Sequence, residues 1–216
     1  MILLGEKMNL GIKRTKNNIM KQKKLYLFLI GLVIVGVIAG ILFWFVINNE
    51  DKLLVTKNLN NFFECIKKGN AINYWGSLFN SLVTGLIYIV LIWLLGISIV
   101  GLPIILIIIT IKSFIVGFSI SSIIASYGFK GILGAFVYTF PHQIIFLLSL
   151  ILLGFYASSF CFKLFKYLFL KQSINFKDAM RKYFKILIIS LIVVLLTSLY
   201  ETFIATYFIK LFTLLI

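Results

Sequence analysis

Histidine, cysteine, proline and acid are all scarce in this sequence. Its 216 residues hold one His, two Cys, two Pro and six Asp or Glu. A lone histidine excludes a two-histidine metal motif of the H-E-x-x-H kind, and Cys65 and Cys161 cannot form a C-x-x-C pair. No pair of carboxylates is arranged for glycoside hydrolysis. Neither a P-loop nor a dinucleotide fingerprint is present. The stretch Gly117-Phe118-Ser119-Ile120-Ser121 is not a G-x-S-x-G elbow. His142 follows Pro141 at a break in the apolar pattern, and a lone His there reads first as a hydrogen-bonded structural residue. These absences leave no catalytic constellation, and neither cofactor nor metal is expected.

What fills the chain instead is apolar. Hydrophobic residues make up 62% of it, and the mean hydropathy is +1.10. A soluble core cannot hide that much apolar surface. Several uninterrupted runs exceed the ~18 residues that mark a transmembrane helix. The expected fold class is an all-α integral membrane protein, a helical bundle of about five spans. The net charge of +15 then reads as membrane topology. No soluble segment is long enough to be a nucleic-acid module, so no nucleic-acid partner is expected; membrane lipid is.

Leu25–Ile47 is a charge-free run of one span's length. Its apolar core exceeds a signal-peptide h-region, and no small-x-small site follows, so an uncleaved anchor is expected. Next, Gly69 to Ile111 is 43 residues without a charge. As one helix that run would be about 65 Å long, twice the ~30 Å hydrocarbon core. Backbone in lipid must satisfy its own hydrogen bonds, so the run has to break at a surface. Gly101-Leu102-Pro103 supplies the break, since Gly tolerates unusual dihedrals and Pro suits the first turn of a new helix. Expected spans are therefore 25–47, 78–99, 103–126, 143–162 and 186–209, in one membrane domain, 25–216. A polybasic tail, 1–24, precedes it. Residues 48–77 form an outer loop and 163–185 a cytoplasmic one.

Basic residues set the orientation. The tail carries Lys7, Lys13, Arg14, Lys16, Lys21, Lys23 and Lys24. The 163–185 loop carries Lys163, Lys166, Lys171, Lys177, Arg181, Lys182 and Lys185, so these two segments hold 14 of the 21 Lys and Arg. With both inside, the N-terminus is cytoplasmic, the C-terminus outside and the Gly-Leu-Pro turn inside. Cys65 and Cys161 then face opposite sides of the bilayer, and no disulfide between them is expected.

Smaller features fit this frame. The tail reads as a topogenic segment attracted to anionic lipid. In the outer loop Leu59, Phe62, Phe63 and Ile66 recur at helical spacing, so 58–67 is expected as an amphipathic helix on lipid, on the bundle or on a partner. Asn175 with Asp178 resembles a helix cap, and residues 175–185 read as an interfacial lead-in to span five. Gly36 and Gly40 form a G-x-x-x-G in span one. Lys112 and Glu201 lie inside spans, where a charge costs at least ~2.5–3.5 kcal/mol. One reading joins them as an interhelical pair. In the other, Lys112 snorkels inward and Glu201 is protonated or bonded to Ser or Thr neighbours.

Residues 93–119, WLLGISIVGLPIILIIITIKSFIVGFS, closely resemble the stage II sporulation protein M family, in Gly96, Gly101-Leu102-Pro103, Lys112 and Val116-Gly117-Phe118. The likeness continues from Gly131-Ile132-Leu133 through Phe140-Pro141-His142-Gln143. Ser198-Leu199-Tyr200-Glu201 is similar to the family's small-Leu-x-Glu segment. It departs at Gln143 and Phe146, where the wider family often has Gly and a Glu three residues on, and at Thr206, where a Pro is common. The resemblance implies a non-enzymatic scaffold of the sporulation engulfment machinery in the mother-cell septal membrane. Its implied role is to anchor and localise two peptidoglycan-degrading partners, the stage II sporulation proteins D and P. Stoichiometry stays open, a homo-oligomer included. The alternative is a small transporter or channel subunit using Glu201 and the Gly- and Pro-broken hairpin. Gly101, Pro103, Lys112, Pro141, His142 and Glu201 are the candidate residues on either reading.

Overall fold

A computed structural model describes residues 2–67, 73–171 and 175–213, with side chains for 23–66, 73–136, 139, 141–169, 171 and 175–210. Among these every regular element is helical: α1 Ile2–Val46, α2 Asn49–Lys67, α3 Tyr74–Gly96, α4 Gly101–Tyr138, α5 Phe140–Leu170, α6 Phe176–Leu199, a π-helical segment Tyr200–Ala205, and α7 Thr206–Thr213. Five stretches are long and apolar enough to cross a bilayer: Lys23–Val46, Tyr74–Gly96, Gly101–Phe136, Pro141–Phe169 and Phe176–Lys210. The tail, 1–24, enters α1 from Ile2 onward; side chains of its Lys7, Lys13, Arg14, Lys16 and Lys21 lie outside the described residues.

Several helix limits differ from the expected spans, each for a local reason. α3 starts at Tyr74 rather than 78, because the Asn73 side chain accepts from the Gly76 N–H at 3.0 Å and caps it. The reversal occupies 97–100, so Gly101 opens α4 and Pro103 sits in its first turn. A Cβ on Gly101 would run into the Leu95 carbonyl, which makes glycine a steric requirement of the turn. α4 does not end near 126; it bends at Gly128, whose φ of 58° and ψ of −133° favour glycine, and continues helically to Tyr138. α5 continues past 162 to a left-handed cap at Lys171. The fifth spanning helix begins at Phe176, not 186. Asn175 caps it, accepting from the Asp178 N–H at 3.3 Å, and Tyr183 of the expected lead-in is buried in the bundle.

Close approach of α1 and α4 organises the bundle. A Cβ on Gly36 would come within 2.8 Å of Ser113 Cβ, one on Gly40 would strike the Phe114 carbonyl, and one on Gly117 the Val37 carbonyl. The G-x-x-x-G thus docks α1 on α4, with Phe43 edge-on to Phe114 at 5.3 Å and Trp44 against Phe118 at 5.9 Å. Leu29, Ile89, Ile92, Ile105, Ile109, Leu150, Leu153 and Val194 fill the core between the five long helices. The 97–100 turn is held from two sides. Cys161 Sγ approaches the Gly96 and Ser98 carbonyls at 3.2 and 3.1 Å, and the Tyr183 hydroxyl donates to the Trp93 carbonyl at 2.9 Å.

α2 is longer than the expected 58–67 helix, and it packs on the bundle. Phe63 and Ile66 are buried against Ile209, with Leu59 and Tyr127 alongside. The Tyr127 hydroxyl reaches Asn60 Oδ1 at 2.6 Å, and the Thr56 and Ser126 hydroxyls lie 3.2 Å apart. Polar contacts from Thr56 and Asn60, beside the apolar stripe, fix α2 against α4, and the stripe itself packs on α7.

Candidate functional site

On the α2 side of the bundle, helices that are apolar elsewhere turn polar toward one another. Ser77, Asn80, Ser81 and Thr84 recur at helical spacing along α3, so they share a face. Lys112 comes from α4, His142 and Gln143 from the first turn of α5, Thr197 and Ser198 from the end of α6, and Glu201 from the π-helical segment. Together with Phe62 of α2 and Phe146 of α5 they line an open-mouthed chamber of about 330 Å³.

Glu201 is its centre. Oε2 accepts from the Ser81 hydroxyl at 2.6 Å, and Ser81 also lies 3.2 Å from the Ser198 hydroxyl. Oε1 lies 3.9 Å from His142 Nε2, beyond hydrogen-bond range but close enough for charge to be felt. The carboxylate side chain is 35% exposed while that of the histidine is 6% exposed, so Glu201 faces the open chamber and His142 forms its wall. A π-helical turn widens the hydrogen-bonding register and displaces carbonyls, a distortion frequent at functional sites. Here the Thr206 hydroxyl donates to the Thr202 carbonyl at 2.8 Å and lies 3.5 Å from that of Glu201. The residue that stands where the family resemblance led to Pro therefore satisfies carbonyls of the distorted turn.

Lys112 lines the same chamber without pairing to Glu201. Its Nζ stands 5.3 Å from the Tyr88 ring centroid and 5.4 Å from that of Phe146, a cation held by two aromatic faces. Phe146, at the position where the wider family often carries Glu, is thus one of the two rings beside the amine. Of the two sequence readings, the one that gave Glu201 a serine partner matches the geometry. Lys112, however, turns into the chamber rather than away along its helix.

The structure brings Lys112, His142 and Glu201 together. Pro141 sits one residue from the site, at the start of α5. Gly101 and Pro103 lie at the far end of α4 and shape the hairpin only. Ser121 donates to the Phe118 carbonyl of its own helix. Among the described residues no three His, Cys, Asp or Glu side chains gather as metal ligands, and both cysteines are free. Sequence reasoning did not single out Asn80, Ser81 or the π-helical segment, and it met Gln143 only as a departure from the family pattern. The serine–asparagine–threonine stripe on α3 was a readable signal, because four polar residues on one face of an apolar span call for a polar partner.

Five long apolar helices around a polar chamber define a multi-pass helical membrane protein. The family described as SpoIIM, stage II sporulation protein M, matches residues 25–206, and the chain belongs to it. It is thus a sporulation-related membrane protein. No curated protein and no solved structure matches the chain.

Proposed function

We propose that the chain is a non-enzymatic scaffold of the sporulation engulfment machinery. In this reading it anchors and localises two peptidoglycan-degrading partners, the stage II sporulation proteins D and P, in the mother-cell septal membrane. The observation that carries the reading is family membership over residues 25–206. The seating of α2 supports it. On the basic-residue asymmetry, α2 lies outside, on the wall side, with the N-terminus cytoplasmic and the C-terminus outside. There its buried stripe holds it rigidly, while Leu53 and Leu54 stay exposed on a helix that is not itself a span. A rigid helix presenting apolar side chains is suited to holding a partner. The test is sporulation in a strain lacking the native gene, complemented by the tagged chain, with septal wall thinning scored by microscopy. The two partners should co-purify with the chain and lose the septum without it. Normal engulfment with no copy present would remove the scaffold reading.

A second reading, a small transporter or channel subunit, is favoured by one observation, the Lys112–His142–Glu201 chamber within the bundle. It is separated from the first by Glu201→Gln. A scaffold keeps its activity in that variant when protein level is normal, whereas a proton-coupled transporter loses it.

A further inference from the structure

The chamber contains an acid and an amine that are not in direct ion-pair contact. Glu201 is engaged at Oε2 by Ser81, while Oε1 lies 3.9 Å from a histidine nitrogen. Lys112 rests on the rings of Tyr88 and Phe146 instead of on a carboxylate. Opposite charges sharing about 330 Å³ between apolar helices would ordinarily close on one another, since each unpaired charge is costly there. Here each is held on its own wall by a neutral partner, leaving space between them. Gln143 adds an amide whose Oε1 is buried without a protein hydrogen bond.

We infer that this chamber binds a small zwitterion of the α-amino-acid type, its ammonium on Glu201 Oε1 and its carboxylate on Lys112. Charge decides the class. A simple anion meets Glu201, a simple cation meets Lys112, and a neutral molecule brings an opposite charge to neither wall. Only a ligand carrying both signs within a few ångströms meets both walls. The neutral partners make the site preformed, so binding need not first break a Lys112–Glu201 pair. This inference goes beyond the scaffold reading, which requires no ligand, and it rests on the chamber alone.

The test uses the full chain in lipid nanodiscs, titrated calorimetrically with L-alanine, ethylamine and propionate. The last two are alanine without its carboxylate and without its amine. Saturable alanine binding is expected, with ethylamine and propionate each weaker by at least about tenfold. Glu201→Gln, which keeps volume and the bond from Ser81, and Lys112→Met should each weaken alanine by a similar factor. Gly31→Ala, on the open face of α1, should not. Absence of saturable alanine binding, equal binding of either single-charge analogue, or unchanged affinity in a folded Glu201→Gln protein would overturn the inference. Should Lys112→Met fail to fold, the three-ligand comparison on the unsubstituted chain decides by itself. Because the readout is binding to purified protein, this assay and the sporulation assay can fail independently.

Discussion

Replacing Gly117 by Val tests the contact that organises the bundle. The first added atom strikes the Val37 carbonyl of α1, a backbone atom that cannot swing aside like the tip of a side chain. α1 must then shift outward or tilt. Overpacking of this kind costs typically about 1–3 kcal/mol. The shift also loosens three ring contacts beside the glycine: Phe43 on Phe114 at 5.3 Å, Phe43 on Phe118 at 5.9 Å and Trp44 on Phe118 at 5.9 Å. Each aromatic pair contributes about 0.5–1.5 kcal/mol beyond area burial, and partial loss of three adds about 1–2. The expected destabilisation is therefore about 2–5 kcal/mol, a shift of roughly 30- to 5,000-fold in the unfolding equilibrium. Gly31→Ala is the internal control. It lies on the same helix as Gly36 and Gly40, but a Cβ there meets nothing within 4 Å, so it should be neutral or gain up to ~1 kcal/mol of helix propensity. Equilibrium unfolding in mixed micelles, followed by tryptophan fluorescence, reads both. If Gly117→Val is as stable as Gly31→Ala, the tight α1–α4 seam is not what holds α1.

Other outcomes follow from the same geometry. A reporter active only outside the cytoplasm should be active when fused after Asn61 or Ile216 and silent after Lys171; activity after Lys171 would refute the expected orientation. Gly101→Leu should sharply reduce folded protein, because its Cβ enters the Leu95 carbonyl, whereas Pro103→Ala in the first helical turn should be mild. Equal expression of the two would mean that Gly101 is not the constraint. Glu201→Leu removes the 2.6 Å acceptor of the Ser81 hydroxyl, leaving it the longer contact to Ser198, and should cost about 1 kcal/mol, while Glu201→Gln should cost well under half as much. Micelle unfolding of the two variants side by side is the check, and equal losses would argue against the Ser81 contact. Tyr183→Phe removes the 2.9 Å bond to the Trp93 carbonyl and should cost about 1 kcal/mol, read by the same method.

What the sequence determined by itself was whatever depends on one segment at a time. Apolar run length against bilayer thickness marks five spanning stretches. The break near Gly101 follows because 43 charge-free residues cannot remain one helix in lipid. Asn175 and Asp178 announce a cap because the bond they make is local. Even Lys112, His142 and Glu201 stood out singly, since each is rare in its surroundings. Which of them meet was decided by the tertiary structure. Rotation and axial offset of α3, α4, α5 and α6 bring residues from positions 77 to 201 around one cavity, and no local pattern encodes those offsets. Depth counted along ideal helices leaves a Lys112–Glu201 pair open. Ser81 of α3 and the rings of Tyr88 and Phe146 instead give each charge its own neutral partner. The G-x-x-x-G motif shows the same division. Its spacing is visible in α1, but whether it docks depends on Thr110, Phe114 and Phe118 offering backbone at the matching height on α4, 70 and more residues away.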